Sequence, residues 1–132
     1  MIAVDNNVLL RLIVGDDPVQ LQIAHALVTT EQILVPLTVT MECEWVLRSF
    51  YKYPRTEIVA ALRALIDLEN VAFEQVDGVR WALDRLLAGA DFADMIHLLQ
   101  SRAAHAASFA TFDRGVEIEA GHLPPMPIRS LI

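Results

Sequence analysis

Four acids stand where ordinary surface charge has little reason to gather: Asp5, Glu42, Asp94 and Asp113. Asp5 follows the apolar run 1–4. Glu42 lies in an expected helix that begins just after Ile33, Leu34, Val35 and Pro36. Asp94 opens an expected helix over 92–107, and Asp113 follows Phe109, Ala110, Thr111 and Phe112. In open sheet-and-helix folds the carboxyl ends of parallel strands meet at one crevice. Carboxylates gathered there repel one another and raise their own pKa values. A divalent cation held by oxygen ligands relieves that repulsion, and Mg²⁺ takes one or two carboxylates directly and keeps several waters. Two such ions about 3.5–4 Å apart activate an attacking water and stabilise the leaving oxygen of a phosphodiester. The chemistry implied is metal-assisted hydrolysis at phosphorus.

Each acid also has an ordinary structural reading. Asp5 fits a strand-end turn, Glu42 an exposed helix position, and Asp113 the cap of a short helix from Arg114. Asp91 fits an N-cap better than a metal ligand, because its D-x-x-D spacing to Asp94 suits a cap. Other chemistries find no residues. Cys43 is the single cysteine, and His25, His97, His105 and His122 lack zinc-ligand spacing. The five glycines are scattered, so neither a phosphate-binding loop nor a dinucleotide turn exists. No nucleophile elbow is present.

The elements that must position the acids follow from periodicity. Runs 1–4, 33–35, 71–76 and 109–112 read as strands, with 126–129 as a final edge strand, and the first is expected to be buried. Helices are expected over 6–14, from Pro18, over 38–52, over 56–68, from Asp77 to Gly89, over 92–107 and from Arg114. Asp17 and Pro18 give the second helix a start signal, and Thr38 and Thr56 are expected caps. His25, beside the stripe Leu21, Ala24 and Val28, is expected to be a partly buried structural histidine. Strands alternating with helix pairs imply an α/β fold, with a mostly parallel central sheet flanked by helices.

Composition bounds the function. A chain of 132 residues, 55% hydrophobic and 20% charged, suits one folded domain over 1–132. No apolar run reaches the roughly 18–20 residues of a membrane span. One cysteine fits a reducing compartment, and we expect a cytoplasmic protein. The net charge of −7 argues against broad electrostatic binding of nucleic acid. Nine of the ten basic residues are Arg, which contacts phosphate bidentately. Mean hydropathy is +0.41, so apolar surface is expected at interfaces. Trp45, Phe50 and Tyr51 suit either an interface or the core.

The chain resembles a PIN-domain ribonuclease, specifically the VapC-like toxins of prokaryotic type II toxin–antitoxin modules. Asp5-Asn6-Asn7-Val8-Leu9 is similar to the family's D-[TS]-[NS]-V-L opening, with Asn6 in place of Ser or Thr. Val39-Thr-Met-Glu42 followed by Trp45-Val-Leu-Arg48 resembles the helix bearing its single Glu, which selects Glu42 over Glu44. Ala90-Asp91-Phe92-Ala93-Asp94 resembles the D-F-A-D segment, and Thr111-Phe-Asp113-Arg114 the T-x-D motif. The resemblance covers nearly the whole chain. It implies a three-layer PIN-like sandwich, endoribonuclease activity dependent on Mg²⁺ or Mn²⁺, a homodimer, and neutralisation by a cognate VapB-like antitoxin. It makes Asp5, Glu42, Asp94 and Asp113 the metal-binding and catalytic acids. Asn7 and Thr111 would orient carboxylates, and Arg114 would contact phosphate or pair with a helix end.

Competing readings are a degenerate PIN or receiver-like module without nuclease activity, and a DNA-directed nuclease. A receiver needs a late Lys, whereas the only Lys is Lys52. A phosphatase of the haloacid dehalogenase type needs D-x-D at the first strand, and position 7 is Asn.

Overall fold

A computed structural model describes all residues from Met1 to Ile132. The elements run β1 (Ile2–Ala3), α1 (Asn6–Val14), α2 (Pro18–Thr30), β2 (Ile33–Val35), α3 (Leu37–Ser49), α4 (Arg55–Ile66), β3 (Val71–Phe73), α5 (Val76–Leu87), α6 (Phe92–Ala103), β4 (Phe109–Thr111), α7 (Arg114–Ala120) and β5 (Ile128–Ser130). The order is the expected one, strand and helix pair in turn, and the fold is α/β. The chain divides into two units, Met1–Val76 and Asp77–Ile132.

In the first unit the sheet has the order β1-β2-β3. Ile33 pairs with Ile2 on one side and Val71 on the other, and both pairings are parallel. Parallel neighbours need crossovers, which the pairs α1/α2 and α3/α4 supply. Ile33 and Val35 on β2 are buried, as are Leu9, Leu47, Ile58 and Leu62 on the helices. β1 departs from expectation. It is an edge strand, bonded on one side only, and Met1 and Ile2 are exposed while Val4 is buried.

Local chemistry explains the helix starts. Asp17 caps α2 through the Gln20 N–H, and Pro18 holds the first helical position. Thr38 and Thr56 do not cap their helices, because α3 and α4 start one residue earlier, behind Pro36 and Pro54. Neither proline offers a cap side chain. At α3 the Glu74 carboxylate, just past β3, accepts the Leu37 N–H at 2.7 Å. That bond satisfies an orphaned first-turn donor with a charge of the sign the helix dipole favours. The third strand ends at Phe73 rather than 76, since Gln75 takes φ +54° and breaks the extended run. Likewise α6 stops at Ala103 rather than 107, where His105 turns left-handed at φ +63°. His25 is exposed rather than partly buried.

In the second unit β4 and β5 pair in parallel, Phe109 with Ile128 and Thr111 with Ser130. The last strand begins at Ile128, two residues later than expected. Val79, Leu83 and Leu86 of α5 are buried, with Phe92, Met95 and Leu99 of α6 and Val116 of α7. The approach of α5 to α6 depends on Gly78, where a Cβ would stand 2.8 Å from the buried Leu99 Cδ2. Such overpacking costs about 1–3 kcal/mol, and better helix propensity returns about 1 kcal/mol. Gly78→Ala should therefore lower the urea midpoint. An unchanged midpoint would mean that Leu99 moves aside freely.

No helix is long and apolar enough to cross a membrane.

Candidate functional site

Three of the singled-out acids are made by the same local event, a helix starting just after a strand or loop. Asp5 is the N-cap of α1, its Oδ1 accepting the Val8 N–H at 3.3 Å. Asp91 is the N-cap of α6 and its Oδ2 accepts the Asp94 N–H at 3.0 Å. Asp113 is the N-cap of α7, its Oδ1 accepting the Gly115 N–H at 2.8 Å. The cap reading thus holds for Asp91 and Asp113, while Asp5, expected in a strand-end turn, is a helix cap as well. Capping does not exhaust them, since an ionised carboxylate has acceptor sites left over. Aspartate and asparagine cap about equally well, so an Asp→Asn change at these positions removes charge and spares the cap.

In the first unit, Asp5 and Glu42 are both exposed. Glu42 and Glu44, two residues apart on α3, meet opposite environments. Glu44 is 1% exposed. Its Oε2 accepts Arg48 Nε at 2.9 Å and its Oε1 accepts Nη2 at 3.4 Å. Cys43 lies between them, fully buried. Burial, then the charges of Glu44 and Glu42, push its thiol up to about 12. It should resist alkylation at pH 8 in the folded protein and react fully in denaturant. Rapid labelling of native protein would contradict the burial.

Asn7 is exposed and its side chain makes no hydrogen bond. It lines a cavity of about 310 Å³ with Val8, Arg11, Ile23, Ala24 and Leu27. Its neighbour Asn6 is buried, and the Asn6 Oδ1 has no hydrogen-bond partner. That oxygen, next in sequence to Asp5, is an acceptor without a mate.

The second unit holds the denser charge. Asp94, half-buried in the first turn of α6, has its carboxyl raised above the ordinary 3.8. Burial is the largest cause, followed by the charges of Asp91, Glu119 and Asp113, with His97 opposing them. The structure therefore brings Asp91, Glu119 and Asp113 within electrostatic reach of Asp94. Thr111 Oγ1 accepts the Asp113 N–H at 2.9 Å and so fixes the backbone that carries this acid. Gly115 leaves room for it, since a Cβ there would stand 2.9 Å from Asp113 Oδ1. Arg114 is exposed and holds no ion pair. Glu119 was missed in the sequence. It lies at the end of α7, outside every motif, and only its hydrogen bond to the Asp91 N–H reveals it.

No group of three or more His, Cys, Asp or Glu side chains is arranged to hold a metal ion. The donor chemistry still fits one class of ion. Asp91, Asp94 and Asp113 offer oxygen only, and a cation would relieve the repulsion that Asp91, Glu119 and Asp113 add to the burial of Asp94. Mg²⁺ commonly takes only one or two carboxylates and completes its shell with water.

A family model described as the PIN domain matches residues 2–118. No curated protein matches the chain.

Proposed function

Because the chain belongs to the PIN domain family, whose members are generally nucleases, we propose that it is a metal-dependent endoribonuclease, the VapC-like toxin of a type II toxin–antitoxin pair. Asp5, Glu42, Asp94 and Asp113 are its metal-binding and catalytic acids in this reading, and residues 1–132 act as one PIN domain. The observation that carries it is the setting of Asp94, whose carboxyl is raised first by burial and then by the charges of Asp91, Glu119 and Asp113.

Mg²⁺ or Mn²⁺, when bound, would supply charge neutralisation and activate water for attack on phosphorus. The chain's own residues do the rest. Asp91 and Thr111 hold the backbones that carry Asp94 and Asp113. Glu42, exposed on a rigid helix, is free to orient or deprotonate the water. Arg114 would contact the phosphate backbone, and Asn7 would orient carboxylates.

The partners we propose are an RNA substrate, a second copy of the chain, and a VapB-like antitoxin, all in the cytoplasm. Support comes from apolar surface: Trp45 and Phe50 on and just after α3, and Val19 and Ile23 on α2, are each more than half exposed. An amphipathic antitoxin helix fits such surface.

A non-catalytic binding module is the alternative reading. The two readings separate on incubation of partner-free protein with single-stranded RNA, single-stranded DNA and a DNA flap in Mg²⁺. Cuts in RNA alone are expected. Cuts in DNA alone would make it a DNA-directed nuclease, and no cuts at all would favour the module.

A further inference from the structure

We propose that Glu119 is a positioning residue for Asp94, acting through the backbone of Asp91; only its effect on rate rests on the nuclease reading. The first amides of a helix have no partner within it. At α6 they are satisfied in two linked steps. Asp91 Oδ2 takes the Asp94 N–H at 3.0 Å, and the N–H of Asp91 itself goes to Glu119 Oε2 at 3.3 Å. The cap that sets Asp94 is thus itself held from another helix.

Glu119 is equipped for that task. It is half-buried and its carboxylate makes no salt bridge. Its main chain is fixed separately, because its carbonyl accepts Arg85 Nε at 2.6 Å. The Arg85 guanidinium lies against Gly121, where a Cβ would stand 3.1 Å from Arg85 Cζ and where φ is +78°. Arg85 of α5 therefore pins the end of α7, and Glu119 passes that restraint to the start of α6. The same helix has Asp113 as its N-cap. One short helix thus sets two of the proposed catalytic acids, one at its start and the other through its end. An anionic acceptor at the N-terminus of α6 also has the sign that the helix dipole favours.

Glutamine keeps an acceptor oxygen and loses the charge, whereas alanine loses both. The test compares wild type, Glu119→Gln and Glu119→Ala in the full chain. Amide exchange is read by NMR at Asp91 and along the first turn of α6, and kcat and KM are read on RNA in Mg²⁺. Glu119→Ala should speed exchange at Asp91 about tenfold or more while distant helices keep their protection. It should lower kcat about tenfold with KM unchanged. Glu119→Gln should restore both.

Three results would overturn the proposal. Unchanged exchange at Asp91 in Glu119→Ala would remove the clamp. Faster exchange throughout the chain would make Glu119 merely structural. A loss of kcat in Glu119→Gln as large as in Glu119→Ala, with exchange protected, would make its charge act directly. If wild type cuts no RNA, the nuclease reading fails by itself, and the exchange data still decide whether Glu119 holds the start of α6.

Discussion

Glu44→Ala should cost the fold about 3 kcal/mol, while Glu42→Gln, two residues away, should change stability by no more than about 0.5 kcal/mol. Glu44 is almost wholly buried and its carboxylate is bonded twice by Arg48. Removing one partner of a buried ion pair strands the other, at about 3–5 kcal/mol. The Arg48 side chain is 40% exposed and can recover some water, which sets the cost at the lower end. Glu44→Gln keeps an acceptor and should lose about 1–2 kcal/mol. Urea unfolding of the three variants checks this. Equal midpoints for Glu44→Ala and wild type would show that the pair contributes nothing. The contrast matters for function, because it assigns one acid of this helix to stability and leaves the other for chemistry.

Asp94→Asn is expected to have the largest effect on activity, a loss of at least about a hundredfold, or roughly 2.7 kcal/mol of transition-state stabilisation. The fold should not suffer. Asp94 sits among Asp91, Glu119 and Asp113, and its carboxyl is raised by burial and then by those charges. An acid with a raised folded value binds its proton more tightly in the folded chain than in the unfolded one. Stability then falls as pH rises from the ordinary 3.8 through the folded value. Asp94→Asn removes that contribution. In EDTA, its melting temperature at neutral pH should equal or exceed that of wild type, and its dependence on pH just above 3.8 should be flatter. A variant that melts well below wild type in EDTA would mean that the ionised carboxylate holds the fold together rather than a cation.

The order of elements was legible because apolar runs and their breaks are local. Ile33 to Val35 between turns reads as a strand, and Asp17-Pro18 reads as a helix start. What failed were features set by distant partners. Thr38 looked like the cap of α3, but the Glu74 carboxylate, 37 residues on, takes the Leu37 amide. The run 1–4 looked buried by its composition, yet β1 is an edge strand.

Helix caps among the candidate acids were legible for a similar reason. Asp91 and Asp113 announce themselves as helix caps, so their position is written in neighbouring residues, whereas Asp5, read as a strand-end turn residue, caps α1. Glu119 was invisible, because nothing local says that its carboxylate reaches back 28 residues to the Asp91 N–H. Nor could the sequence alone distinguish Glu42 from Glu44 by environment. Family resemblance chose Glu42, and burial shows Glu44 spent on Arg48.

The most direct test of the central claim is cleavage of a mixed tRNA and rRNA pool by protein freed of any bound partner. Wild type is run in Mg²⁺ and in EDTA, beside Asp5→Asn and Asp94→Asn. Discrete cuts are expected in Mg²⁺, none in EDTA, and none from either variant, although Asn at position 5 keeps the helix cap. Cleavage that persists in EDTA, or in both folded variants, would contradict that claim.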